Sequence, residues 1–177
     1  MTHRVRQALA FLATAAALLL PITAMADDRP AFVVAVPGIP EILEPSQIST
    51  PAKRLYPNVF DKLVRYNFSG EGEPIEPALA TSWTRIDDRT LEVTLRDGVV
   101  FHNGDVMTSE DVAFTFSDTH FGDRVGPYWG GLESVEATGP LTVVFTMKDP
   151  DPLLEWRLGG WAGEIISKRA FEEAADF

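Results

Sequence analysis

The sequence predicts a fold that mixes strands and helices, α/β or α+β, and three observations lead there. Leu91, Val93 and Leu95 alternate with Glu92, Thr94 and Arg96, and Leu141, Val143, Phe145 and Met147 alternate with Thr142, Val144, Thr146 and Lys148. Only a period of two puts either apolar set on one face of a strand. Ala31 to Val36 is an unbroken apolar run closed by Pro37-Gly38, which suits a strand buried on both faces. Thr108 stands three residues before Asp111, a capping-box spacing that predicts a helix starting at about Ser109.

In order along the chain, residues 1–26 read as a secretory signal peptide that lies outside the fold. Arg4 and Arg6 make a basic start, and Ala24-Met25-Ala26 is a small-residue cleavage site. Ala8 to Leu20 is apolar but shorter than the ~20 residues of a membrane span. Val5 separates the two arginines, so the twin-arginine signal is absent, and the chain has no cysteine to carry a lipid. The expectation is a free periplasmic protein, not a lipoprotein, with no membrane insertion once the leader is removed.

The 177 residues carry 15 basic and 26 acidic side chains, a net charge of −11. Taking Arg4 and Arg6 away with the leader leaves 13 against 26, a net −13. Such a surface repels phosphate backbones and anionic headgroups, so nucleic acid is not an expected partner. A composition 45% hydrophobic and 23% charged fits a globular chain, and residues 27–177 are expected to form a single domain.

The loop from Gly38 to Pro51 contains Pro40, Pro45 and Pro51 and should be stiff and irregular. Ala52 to Arg65 places Leu55, Val59 and Leu63 on one helical face, with a start or kink at Pro57. Asn67 to Pro74 reads as an acidic, glycine-bearing turn, in which the Asn67-Phe68-Ser69 sequon is incidental. Pro77-Ala78-Leu79-Ala80 is helix-prone and leads into two strands joined by a turn at Asp87-Asp88-Arg89. Further turns are expected at Arg96-Asp97-Gly98 and Asn103-Gly104-Asp105, where glycine admits positive φ. Thr119 to Gly131, with four glycines and three aromatics, reads as an irregular loop. Val135 to Met147 reads as a hairpin, Pro152-Leu153-Leu154 as a helix start, and Ile165 to Arg169 as the approach to a last helix. Trp83 and Trp156 are expected in the core, whereas Tyr128 and Trp129 either plug the core or line a ligand surface.

No catalytic signature is present: no G-x-S-x-G, no H-E-x-x-H, no phosphate loop and no cysteine nucleophile. His102 and Asp105 flank a glycine turn, where polar groups serve the turn, and a metal site needs three or four ligands. The carboxylate pairs fall in turns and helix starts, where solvation accounts for them. No catalytic residue, metal or cofactor is expected.

The succession P-A-L-A-x-S-W, then D-D-x-x-L-x-V-x-L-R-D-G-V-x-F-H-N-G-D, then T-S-E-D-V-A-F-T-F is long, ordered and free of gaps. It resembles the N-terminal signature of the peptide/nickel-type extracellular solute-binding proteins, family 5, that serve bacterial ABC importers. Leu43-Glu44-Pro45 is similar to that family's leucine-acid-proline triplet. The resemblance implies a type II, Venus-flytrap periplasmic-binding-protein-like α/β fold, of which residues 27–177 would be the N-terminal part of lobe I with its accessory strand-helix subdomain. It implies a monomer that captures a peptide or similar small solute and delivers it to the membrane subunits of an ABC permease. Carried over by position, ligand contacts fall on Ser49, Thr50 and Pro51 and on Tyr128 with Trp129 beside it. The alternatives are an exported hydrolase or metal-dependent enzyme, or an inactive truncated fragment, since family members are much longer than this chain.

Overall fold

In chain order the elements are a 3-10 turn (Pro45–Gln47), helix α1 (Tyr56–Val59), strands β1 (Val64–Tyr66), β2 (Ile75–Pro77), β3 (Ala80–Arg85) and β4 (Thr90–Leu95), and helices α2 (Ser109–Thr115), α3 (Asp118–Phe121) and α4 (Gly126–Trp129). Strands β5 (Leu132–Gly139) and β6 (Thr142–Met147) and helices α5 (Leu154–Arg157) and α6 (Lys168–Ala175) follow. The computed structural model describes residues 38, 43–47, 53–122 and 126–175, all within one unit of the chain, Val36–Phe177. The leader and the expected strand at Ala31 to Val36 lie outside the described residues.

Two hairpins make an antiparallel sheet of order β3-β4-β6-β5. Asp87 closes the first, its Oδ1 accepting from the amide of Arg89 at 2.8 Å. The register sets Val93 opposite Trp83 and Val143, and Phe145 opposite Leu91 and Val135, so the apolar rows run across strands on one face. Leu91, Val93, Val143 and Phe145 are fully buried there. Each contributes roughly 1.5–3 kcal/mol relative to exposure.

Helix α2 covers that face. Asp111 Oδ2 accepts from both the amide and the hydroxyl of Thr108, at 2.9 and 3.0 Å, which fixes the start where the spacing predicts it. Asp111 Oδ1 accepts from the amide of Lys168 at 3.0 Å, so one carboxylate serves the first turns of α2 and α6 together. At the other end, Phe116 packs edge-on against Phe145 and Trp129, with ring centroids 5.1 and 4.7 Å away. The turns at Gly98 and Gly104 do take positive φ, +71° and +90°.

Four expectations need correction. Pro77 to Ala80 is not helical: β2 ends at Pro77 and β3 begins at Ala80. The amides of Ala78, Leu79 and Ala80 donate instead to the carbonyls of Leu63, Lys62 and Leu63. Pairing with Lys62 and Leu63, just ahead of β1, outweighs the helix propensity of alanine and leucine. The helical face predicted over Leu55, Val59 and Leu63 lasts one turn, because Phe60 turns extended (φ −121°, ψ 144°) and Leu63 and Val64 enter the core at β1. Pro57 does lie in the first turn of α1. Thr119 to Gly131 is not wholly irregular: Ser117 caps α3, and His120, Phe121 and Trp129 point into the interior from single helical turns. Trp156 is 40% exposed, not core, lying against Tyr66 at 5.7 Å. Trp83 packs against the core as expected.

Candidate functional site

The turn after α5 is short of side chains because it is crowded. A Cβ on Gly159 would stand 3.0 Å from the Tyr66 ring and 3.2 Å from the Val64 carbonyl. The turn is held from outside by Lys62, whose Nζ donates to the carbonyls of Gly159 and Gly160 at 3.2 and 2.7 Å. Lys62 also forms an antiparallel bridge with Glu164. Its Nζ lies 3.2 Å from Glu164 Oε1, yet neither oxygen of that carboxylate, 1% exposed, accepts a hydrogen bond. The ammonium donates to the two glycine carbonyls and meets the buried Glu164 carboxylate as an ion pair.

Held in this way, the turn presents Trp161, 45% exposed, to solvent. Lys53, half-buried, lays its Nζ 4.7 Å from the Trp161 ring centroid and 5.9 Å from that of Tyr128. Lys62 Nζ lies 5.7 Å from the same Trp161 ring. Each such ammonium-on-ring contact is worth about 0.5–1 kcal/mol where solvent reaches it. Tyr128 is half-buried on α4, and its carbonyl accepts from Arg157 Nη1 at 2.9 Å. The result is a corner with two aromatic walls and a cation between them.

The sequence-predicted site residues divide accordingly. Tyr128 lines this corner. Trp129 does not: it is 4% exposed, packs on Phe116 and Phe145, and donates its indole N–H to the Ala162 carbonyl at 3.0 Å. Its large ring fills the core under α4, which corrects its assignment to a ligand surface. Ser49, Thr50 and Pro51 lie outside the described residues. The sequence reading missed Lys53 and Trp161; the glycine cluster at Gly159, Gly160 and Gly163 around Trp161 was the available signal.

It also missed a buried pair. His120, with 0% exposure, sets Nδ1 against the Thr115 carbonyl at 2.6 Å and Nε2 against Glu44 Oε1 at 2.7 Å. Both ring nitrogens thus face an oxygen, one on the backbone and one on a carboxylate. Burial alone would push the Glu44 carboxyl up, but hydrogen bonds from His120 and from the Ser46 hydroxyl and amide hold it below its ordinary 4.5. Tyr56 donates its hydroxyl to the Glu44 carbonyl at 2.9 Å and is itself pushed up to about 12, by burial first and then by Glu44 and Glu164. These bonds anchor the Leu43-Glu44-Pro45 triplet.

A separate cleft of about 330 Å³ lies between Leu43, Val59, Phe101, Met107, Ile166 and Phe171. Among the described residues no group of three or more His, Cys, Asp or Glu side chains could hold a metal ion. No described helix is long and apolar enough to cross a membrane.

This mixed α/β arrangement is the fold of the periplasmic binding proteins. The ABC transporter-associated periplasmic binding protein DppA of Helicobacter pylori, solved with the peptide STSA, is 27% identical with a TM-score of 0.64, over 76% of this chain and 30% of that one. MoaA of A. tumefaciens R10, solved with mannopinic acid, is 28% identical with a TM-score of 0.61, over 76% and 29%. The chain belongs to the bacterial extracellular solute-binding proteins, family 5, whose middle-region model matches residues 74–176. Among curated proteins, the uncharacterized YhjP of Bacillus subtilis (strain 168) is 33% identical over 121 residues, 66% of this chain and 20% of YhjP. The chain thus spans about a fifth of that relative's length.

Proposed function

We propose that this chain serves the solute-capturing component of an ABC importer, taking up a peptide or similar small solute outside the cytoplasmic membrane and passing it to the permease. The observation that carries the reading is the family match over residues 74–176, joined to an aromatic, solvent-open corner at Tyr128 and Trp161. Relatives of the same fold were solved with a peptide and with mannopinic acid. The proposal includes export with removal of residues 1–26, a solute-binding domain from residue 27 onward, and ligand contact at Ser49, Thr50, Pro51 and Tyr128. A half-buried ring such as Tyr128 can stack an apolar ligand part while its hydroxyl fixes orientation, and truncating such an anchor costs more than about 1 kcal/mol of binding.

The test is calorimetry of the full chain with the peptide Ser-Thr-Ser-Ala and with mannopinic acid. At least one should bind, and Tyr128→Ala should weaken that binding while the melting temperature stays nearly unchanged. Absence of binding by both probes counts against the reading. Unchanged affinity in Tyr128→Ala counts against the site. Mass spectrometry of exported protein should find Asp27 at the N-terminus.

A further inference from the structure

We infer that the corner between Lys53, Tyr128 and Trp161 is a subsite for a carboxylate of the captured solute. The inference rests on the proposed capture of a small solute and names the chemistry that one corner of the site selects.

Three observations converge. Lys53 Nζ is placed by two ring faces at once, Trp161 and Tyr128, and makes no hydrogen bond or ion pair among the described residues. A lone surface lysine is ordinary; a half-buried one fixed over two aromatic rings is preorganised, because little side-chain freedom remains to be lost when an anion arrives. The second cation on Trp161, Lys62, is already matched: its hydrogen bonds go to Gly159 and Gly160, and the buried Glu164 carboxylate stands 3.2 Å away. Arg157, which donates to the Tyr128 carbonyl, is likewise paired, with Asp151, so among the described residues at this corner the cation without a carboxylate partner is Lys53.

The aromatic walls alone would suit a cationic ligand equally well, since ring faces attract ammonium groups. Here Lys53 and Lys62 already hold ammonium groups on the Trp161 ring, so a third cation meets like charge at close range. An anion meets the opposite. A carboxylate on Lys53 Nζ gains a charge-assisted hydrogen bond, stronger than a neutral one. The exposed Trp161 indole and the Tyr128 ring then give an apolar wall for the carbon next to that carboxylate. The class of solute is a small molecule that joins a carboxylate to an apolar or planar carbon segment.

The experiment is calorimetry of the full chain with three probes: Ser-Thr-Ser-Ala with a free C-terminus, the same peptide as its C-terminal amide, and mannopinic acid. The free acid should bind about tenfold more tightly than the amide. Lys53→Gln should weaken whichever of the two acids binds by about tenfold while leaving the amide unchanged, and Lys53→Arg should restore most of the loss. Trp161→Leu, which keeps the charge but releases Lys53 from its ring, should weaken the acids as well; melting curves of each variant check that the fold persists. Equal binding of acid and amide overturns the subsite and leaves solute capture standing, as does an acid affinity that Lys53→Gln leaves unaltered. No binding by any probe overturns both the subsite and the capture on which it rests.

Discussion

The indole N–H of Trp129 reaches the carbonyl of Ala162, 3.0 Å away, and so ties α4 to the turn that carries Trp161. Ala162 sits at φ +56°, a left-handed conformation that costs an L-residue roughly 1–2 kcal/mol. The core tryptophan thus holds in place a strained residue next to the exposed one. Trp129→Phe keeps the ring contacts but leaves a buried carbonyl unpaired, so it should lower unfolding stability by about 1–3 kcal/mol in urea titration. Ala162→Gly relieves the strain but loosens the unfolded chain by roughly 0.5–1 kcal/mol, for a net change from neutral to about 1.5 kcal/mol stabilising. A marked loss in Ala162→Gly would place the strain elsewhere.

Acid should weaken the fold through Glu44. Its carboxyl titrates below the ordinary 4.5 in the folded chain, so the unfolded chain binds the proton first as pH falls. The contribution is complete above the ordinary value and disappears as pH drops through the lowered folded one. Urea midpoints measured from pH 6 down to pH 3 should therefore fall most steeply below 4.5, and Glu44→Gln should flatten that acid limb. An unchanged limb in Glu44→Gln would assign acid sensitivity to other carboxylates.

Asp111 is expected to matter more than an ordinary helix cap. Replacing a cap residue by alanine typically costs about 1 kcal/mol, but Asp111 Oδ1 also holds the Lys168 amide at the start of α6. Asp111→Ala should cost about 2–3 kcal/mol by chemical denaturation, and Thr108→Ala, which leaves the link to Lys168, about 1 kcal/mol. Equal losses would mean that α6 does not depend on that carboxylate.

Phe145→Ala probes the centre. The ring is fully buried and contacts Phe116 and Trp129, so its loss should cost about 3–5 kcal/mol by cavity formation. The measurement is the urea midpoint at constant m-value; a loss under about 1.5 kcal/mol would require the aromatic cluster to collapse into the gap.

These particulars show which parts of the chain speak for themselves. The hairpins were legible because Leu91, Val93, Val143 and Phe145 lie in strands with one covered face, where alternation survives in the sequence. The start of α2 was legible because capping is local to Thr108 and Asp111. Residues 52–65 were misleading because Leu63 and Val64 meet partners far along the chain, and a helical spacing of apolar residues carries no record of that pairing. The candidate site was half legible. Composition marked Tyr128 and Trp129 equally, yet only three-dimensional packing sends one to the corner and the other to the core. Lys53 and Trp161 are brought together by tertiary contact alone, and no spacing in the sequence joins them.

Lys62 grips carbonyls 97 and 98 residues further along the chain, whereas both hairpins close over short spans. Closing so long a loop costs entropy before any contact rewards it, so the sheet should assemble early and the corner around Trp161 late. In stopped-flow kinetics, Val143→Ala should mainly slow folding, while Lys62→Met should mainly speed unfolding. If so, the corner opens first when the fold is perturbed, and a solute seated there would act as a kinetic latch that lengthens the lifetime of the folded chain.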